Sequence, residues 1–406
     1  MSLLRGQIGP RSVRGSMPEN SSFNRTALLL AANACMFVFG VVLLLMGSLL
    51  PSLEVTYSEA GNLGSFPLAG ILFATLLVGP ILDVLGAKPV LTLALALIAA
   101  CLGLMPVLHS YPELAAATFT YGVGGGLLNT AANALVADVS AGGRAAALNL
   151  LGFFFSLGAI SAPLAMSSVG GNLSVIFVLR ALAVLCLLIF IVMLPLGFPP
   201  PGRPGIRLRT VLAVLNHPAV WLFAALLFFE SGSENCMFVW AAKIVADVLH
   251  TTPKRANLAL VALSAALGAG RLLALVWLRW IGSRGTIWLS AGFAVAGSLV
   301  VLEANQFSGM VAGMLVIGLG LSAIFPTALG IAGDRFPEEK GTVFGAIMTI
   351  ALVGGTAGPK LASWAAAYGP TRVLWVPLVS AVLVGALTIL ISARAPQPIV
   401  KTSAQS

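Results

Sequence analysis

Charge is scarce in this chain: Asp, Glu, Lys and Arg together make up 9% of its 406 residues. Globular proteins in water carry about a quarter of their residues charged, so the soluble classes are excluded. Histidine is nearly absent. His109, His217 and His250 lie near the ends of apolar segments with no acid or thiol cluster around them, which excludes a metal centre and a hydrolytic triad. The four cysteines, Cys35, Cys101, Cys186 and Cys236, all fall inside apolar runs without close spacing, and they read as small core residues. No cofactor and no metal is expected, and the chain is not expected to be an enzyme. No polar stretch is long enough for a soluble module, so an ATPase domain is excluded. Any driving force is an ion gradient, the solute's own gradient or a separate protein.

What the chain has in abundance is apolar length. It is 59% hydrophobic with a mean hydropathy of +1.02, and its apolar runs are the ~20 residues needed to cross hydrocarbon. The pattern predicts twelve helices at 26–50, 62–84, 88–108, 113–138, 144–167, 174–197, 217–247, 256–280, 285–303, 307–333, 341–366 and 371–393. An even number of spans places both termini on one side, where fifteen Lys and Arg lie in the tails and loops, against Lys254, Arg255 and Arg372 opposite. By the positive-inside rule the termini are expected in the cytoplasm of a cell with this protein in its plasma membrane, the inner membrane in a bacterium. The basic residues are scattered, so the net charge of +9 marks topology and no nucleic-acid partner is expected. The expected division is a tail at 1–25, six helices at 26–197, a Pro- and Arg-rich cytoplasmic linker at 198–215, six helices at 216–393 and a tail at 394–406.

The two halves repeat at an offset of 196 residues. Asp138 answers to Asp334, Arg144 to Lys340, Lys88 to Arg284 and Pro163 to Pro359, while Gly86, Gly122, Gly124 and Gly158 answer to Gly282, Gly318, Gly320 and Gly354. Paired charges weigh most in so uncharged a chain. The fold class that follows is an all-α integral membrane protein of two pseudo-symmetric six-helix bundles, an architecture that transporters build around one central site.

Residues 79–91 read GPILDVLGAKPVL in the turn between the second and third helices. Gly79 permits close helix approach, Asp83 can cap a neighbouring helix start, Gly86 allows the turn and Lys88 anchors at the membrane surface. This resembles the signature of the major facilitator superfamily, with Val84 where the family usually has Arg and Ala87 replacing another basic residue. The second half keeps an echo, LVWLRWIGSRGTI at 275–287, with Arg279 at the Asp position. Within the superfamily, 121–139, 144–163, 230–240 (ESGSENCMFVW), 318–337 and GGTAGP at 354–359 resemble the fucose, galactose and glucose proton symporters. The resemblance implies alternating access, a monosaccharide as substrate, sugar symport with a proton as a further partner, contacts from helices 1, 4, 7 and 10, and function as a monomer. An exporter of amphipathic drugs or metabolites on the same fold is the alternative.

Within the apolar runs a few polar residues are candidates for the site. Asn129 and Asn133 share one helix face and suit sugar hydroxyls, or else bridge helices. In the fucose permease the position resembling Asn129 is acidic and implicated in proton coupling, a role an amide cannot take. Glu230 and Glu234 also share a face, so at least one must be protonated or paired, with Arg271 or Lys360 as the available cations. They are the candidates for proton coupling. Asn235 and the aromatic faces of Trp240 and Phe325 complete the expected substrate-binding set. Pro326, Pro163 and Pro359 are expected to bend their helices. Asp138 with Arg144, and Asp334 with Arg335 and Lys340, are expected to form a gate with Gly79, Asp83, Gly86 and Lys88.

Overall fold

The computed structural model describes residues 23–108, 110–140, 144–168, 172–201, 215–336 and 340–393. Most of the expected linker and both tails lie outside the described residues, as does His109.

The helices begin where the sequence places caps. α1 (Arg25–Leu49) is capped by Asn24, whose side chain accepts from the Ala27 N–H. α2 (Tyr57–Leu85) opens five residues before the apolar run because Thr56 and Glu59 form a capping box, each side chain meeting the other's backbone N–H. α3 (Ala87–Leu104), α4 (Tyr111–Val139), α5 (Arg144–Ser168) and α6 (Asn172–Met193) complete the first bundle. α7 (Pro218–Leu249) and the run Pro253–Glu303 both start with proline at the first helical position, where its missing N–H costs nothing. That run is two spans, α8 (253–281) and α9 (283–303), turned at Gly282. α10 (Phe307–Arg335) is interrupted at Ser322 and Ala323. Pro326 has no N–H to offer the Ser322 carbonyl, so the expected break falls one turn before it. α11 (Lys340–Ala366) and α12 (Trp375–Ala393) close the second bundle.

Ten described helical runs are long and apolar enough to cross a membrane. One of the ten, Pro253–Glu303, holds two spans, and α4 falls short because it carries four Gly, two Asn and three Thr. That deficit marks α4 as a helix with interior polar work. The four cysteines are buried and free, as expected.

The repeat holds in three dimensions. Gly86 and Gly282 take the same backbone turn, φ 77° ψ 177° and φ 66° ψ 178°, a region side chains avoid. Gly122 presses on the Pro67 carbonyl and Gly318 on that of Leu263, while Gly124 and Gly320 meet the Ala94 and Ser290 carbonyls; each partner is again 196 residues from its twin. α1 and α7 depart from that offset. The Phe37 carbonyl meets Gly158 and the Phe228 carbonyl meets Gly354, and these two phenylalanines are 191 apart. Glu230 and Glu234 therefore face the structural level of Phe39 and Leu43, rather than Ala34 and Val38 as the uniform offset implies.

Within the bundles α1 packs on α5, α2 on α4, and α3 on α4 and α6; α7 packs on α11 and α12, and α8 and α9 on α10. Between bundles the seams are α2 with α11, α5 with α8, and α1 with α7. A methyl at Gly122 overlaps backbone, whereas one at Gly292 meets nothing within 4 Å. Gly122→Val is expected to lower the detergent melting temperature, at a cost of about 1–3 kcal/mol. Gly292→Val is expected to leave it unchanged, as checked by fluorescence-detected size exclusion after heating.

Candidate functional site

With twelve spans, the start of α1 and the end of α12 fall on one face, called here the terminal face, and at the opposite face the bundles are in close contact. There the seam is built on small residues: a Cβ on Gly47 would overlap the Phe238 carbonyl, one on Gly61 the Ser363 side chain, and one on Gly64 the Val239 side chain. Polar bonds cross at the same level. Buried Asn257 of α8 donates through Nδ2 to the Ser48 carbonyl of α1 at 3.0 Å and, within its own helix, to Pro253 at 3.0 Å. Lys360 Nζ reaches Ser58 Oγ at 3.4 Å. Tyr57 of α2 lies 6.1 Å from the Trp240 ring and beneath Lys243 Nζ at 5.5 Å, with Lys243 bonded to Asp247 at 3.0 Å. Sequence reasoning missed Tyr57, Ser48 and Asn257. All three stand at helix ends, where a polar residue reads as a boundary.

Trp240, expected to present a ring face to substrate, is part of this seal. It is 1% exposed, its ring is covered by Tyr57, and its Nε1 donates to the Pro359 carbonyl at 3.1 Å. Asn235 is also buried; its Nδ2 donates to the Ser231 carbonyl and Oγ on its own helix and lies against Gly355.

Below the seal the remaining candidates gather at mid-membrane depth. Asn129, Arg271 and Phe325 each stand ten residues from the helix end on the terminal face, and Phe155 eleven from its own. At ~1.5 Å per residue that is about 15 Å, half the hydrocarbon thickness. α4 is covered by α1, α2, α3 and α5, and α10 by α7, α8, α9 and α11, so the face left accessible on each is turned toward the other bundle. Asn129, Thr130 and Asn133 are half-buried on α4; on α10 Phe325 and Leu329 are half-buried and Pro326 and Gly330 exposed. Asn133 Nδ2 donates to the Asn129 carbonyl at 2.8 Å and to its Oδ1 at 3.1 Å. The pair is braced along one helix and does not bridge two. Asn129 Nδ2 and Asn133 Oδ1 have no protein partner among the described residues.

Glu234 answers the choice of cation: its Oε1 lies 3.8 Å from Arg271 Nη2, while Lys360 is engaged at the seal. The Arg271 guanidinium also stands over the Phe155 ring of the other bundle at 5.9 Å, and Phe155 stacks on Phe39 at 5.5 Å. Glu230, one turn from Glu234, is 1% exposed with neither carboxylate oxygen hydrogen-bonded.

Toward the terminal face the glycines are not covered. A Cβ on Gly79 of α2, Gly330 of α10 or Gly345 of α11 would meet nothing within 4 Å, so Gly79 makes no close approach in this state. Asp83 is exposed and caps no helix among the described residues. Lys88 does more than sit at the surface: its Nζ donates to the Leu194 and Leu196 carbonyls at 2.7 and 2.9 Å, binding the start of α3 to the end of α6. Asp138 and Asp334 are exposed, and Arg335 donates to the Ile391 carbonyl of its own bundle at 3.3 Å. The side chains of Arg144 and Lys340 lie outside the described residues.

Two bundles of membrane-length helices, in close contact at one face and with amides and an ion pair between them, have the build of a membrane transporter. The chain belongs to the Major Facilitator Superfamily, which it matches over residues 28–359 and 237–406. It is 25% identical over 338 residues to an uncharacterised transporter of Sinorhizobium fredii, covering 79% of this chain and 80% of that one. An uncharacterised superfamily transporter of Yersinia pestis is 22% identical over 322 residues, 77% of this chain and 81% of that one. Among solved structures, a point mutant of the nucleoside transporter NupG superposes with a TM-score of 0.77 at 14% identity, over 91% of this chain and 99% of that one. A bacterial homologue of the human lysosomal transporter Spinster, in an inward-facing unoccupied conformation, gives 0.74 at 12% identity, over 91% and 96%. At these identities the likeness concerns the fold.

If Gly64 must stay small for the far face to seal, Gly64→Leu opens it. A Lys243→Cys reporter in that background is expected to react several-fold faster with a membrane-impermeant thiol reagent applied from the far face than the same reporter alone.

Proposed function

We propose that the chain is a secondary transporter that moves a small hydroxylated solute of monosaccharide size by alternating access, with a proton exchanged at Glu234 and Glu230. The observation that carries this reading is the mid-membrane layer: two half-satisfied amides on α4 and an ion pair between α7 and α8, sealed from one face and reachable from the other. Amides that both donate and accept match a hydroxylated ring. A cavity for amphipathic drugs would leave Asn129 and Asn133 bonded between helices, and here they are braced within one.

Glu234 touches the single cation of this layer among the described residues, and Glu230 lies behind it. A carboxylate that gains a proton there releases its hold on Arg271, and that release is a local change able to bias the rocking of α7 and α8 against α1 and α5. The excess of Lys and Arg on the terminal face supports a cytoplasmic location for both termini, and hence a bacterial inner membrane or other plasma membrane and an inward-open state. We further read the exposed Asp138 and Asp334, with Arg144, Arg335 and Lys340, as groups that meet when that face closes, when Gly79 also finds its neighbour. NupG is named for nucleosides, whose ribose presents the same hydroxyl chemistry, so nucleosides join sugars in the test.

The test is uptake of a labelled panel of monosaccharides and nucleosides into proteoliposomes with and without an imposed proton gradient. Uptake of at least one is expected. Asn129→Ala and Asn133→Ala should each raise the half-saturating concentration about fivefold, the scale of one hydrogen bond. Glu234→Gln and Glu230→Gln should make uptake indifferent to the proton gradient. Transport of a lipophilic cation with none of the panel moved would overturn the reading, and an unchanged proton response in both variants would remove the coupling.

A further inference from the structure

Arg271 is under-partnered for a cation at the middle of a membrane. A guanidinium carries five N–H donors in a fixed fork. Among the described residues its nearest polar contact is one Glu234 oxygen at 3.8 Å, beyond hydrogen-bond reach; the Glu230 carboxyl acts on it electrostatically from behind Glu234, and the guanidinium stands over the Phe155 ring at 5.9 Å. The side chain keeps 35% of its surface accessible, against 13% for Glu234. An ionised group at this depth costs several kcal/mol unless polar partners surround it, so such residues are kept for what they bind. Here the acid that neutralises Arg271 stands close enough to lower its cost but is not seated on the fork.

We propose that the fork of Arg271 receives a carboxylate of the transported solute, which makes the substrate a hydroxylated monocarboxylate, a sugar acid rather than a neutral sugar. This rests on the reading of a hydroxylated solute and names its charged end. Planar bidentate pairing with a carboxylate is what a guanidinium does best. A single negative charge is favoured over a phosphate dianion because Arg271 is the single cation of this layer among the described residues: Lys243, paired with Asp247, and Lys360, at Ser58, both stand in the seal. The hydroxylated end then falls at the depth of Asn129, whose free Nδ2 and neighbouring Asn133 Oδ1 belong to the other bundle, so one solute touches both. Glu234 acts as an internal stand-in for the substrate carboxylate. It holds Arg271 when the site is empty and is displaced when the site fills.

The experiment compares binding of D-gluconate and D-glucose to the purified full-length protein by calorimetry, with uptake of both into proteoliposomes. Wild type is expected to bind gluconate about tenfold or more tighter than glucose, the scale of a charge-assisted hydrogen bond. Arg271→Gln should abolish that preference, and Glu234→Gln, which removes the competitor, should strengthen gluconate binding. Opposite signs in these variants distinguish a binding role from a structural one, which would weaken both. If Arg271→Gln is not recovered folded, Arg271→Lys, which keeps the charge and loses the fork, should weaken gluconate and spare glucose. Glucose bound as well as or better than gluconate, or both variants weakening gluconate alike, overturns this inference and leaves the hydroxylated-solute reading standing. Failure to bind or move either compound, with the monosaccharide and nucleoside panel also unmoved, sinks both.

Discussion

Helices in hydrocarbon gain little by burying apolar surface against one another, because lipid tails are as apolar as leucine. What holds them is close contact, and close contact needs residues without bulk. In this protein the contact of backbone on backbone, at Gly122 with Pro67, Gly318 with Leu263 and Gly354 with Phe228, sets each bundle as a rigid body. The bundles also meet through small residues, Gly47 on the Phe238 backbone and Gly61 and Gly64 on the Ser363 and Val239 side chains, and among the described residues these contacts lie in the half away from the terminal face. Everything functional follows from that half-length seam. Beyond it, at mid-membrane depth, stand the amide pair and the ion pair.

The polar groups are distributed between the bundles in a way that uses the gap. The first bundle brings amides on α4 and an aromatic face on α5; the second brings both carboxylates and the guanidinium. A solute that engages both sets therefore ties two bodies whose own interiors are apolar and closely packed. Among the candidate site residues the charged ones belong to the second bundle, so the electrical consequences of binding there fall on α7 and α8, which are also the helices that carry Trp240, Lys243 and Asn257 into the seal. Site and seal share the same two helices.

Most of the architecture was legible in the sequence because apolar length and charge asymmetry are properties of single segments. The helix limits agree within a few residues, and the departures have local causes: the Thr56–Glu59 box extends α2 backward, and the turns at Leu194 and Leu196 end α6 at Met193 before the apolar run is finished. The repeat was legible as well, down to the shared turn at Gly86 and Gly282. What a uniform offset could not carry is the shift of α1 and α7, since it arises from where two helices cross and not from any residue in them. The candidate site was legible by type: Asn129, Asn133, Glu234 and Arg271 stand out as polar residues in apolar surroundings. Their roles were not, because Trp240 and Asn235 look equally interior in sequence, and only the packing of Tyr57 on one and Ser231 on the other shows their surfaces already occupied.

The buried amide of Asn257 gives the closed face an unusual property. Its donor nitrogen is shared between Ser48 across the seam and Pro253 within its own helix, both at 3.0 Å. The NH2 group has two N–H donors, so when the bundles part the bond to Pro253 stays within α8 and the bond to Ser48 is given up whole. The loss is one hydrogen bond, about 1 kcal/mol net where water takes up the freed groups. A bond of that size favours the closed arrangement without fixing it, so this contact alone does not oppose a solute that favours the other. The latch is thus built to be reversible: it defines a closed face without making that face the end of the cycle.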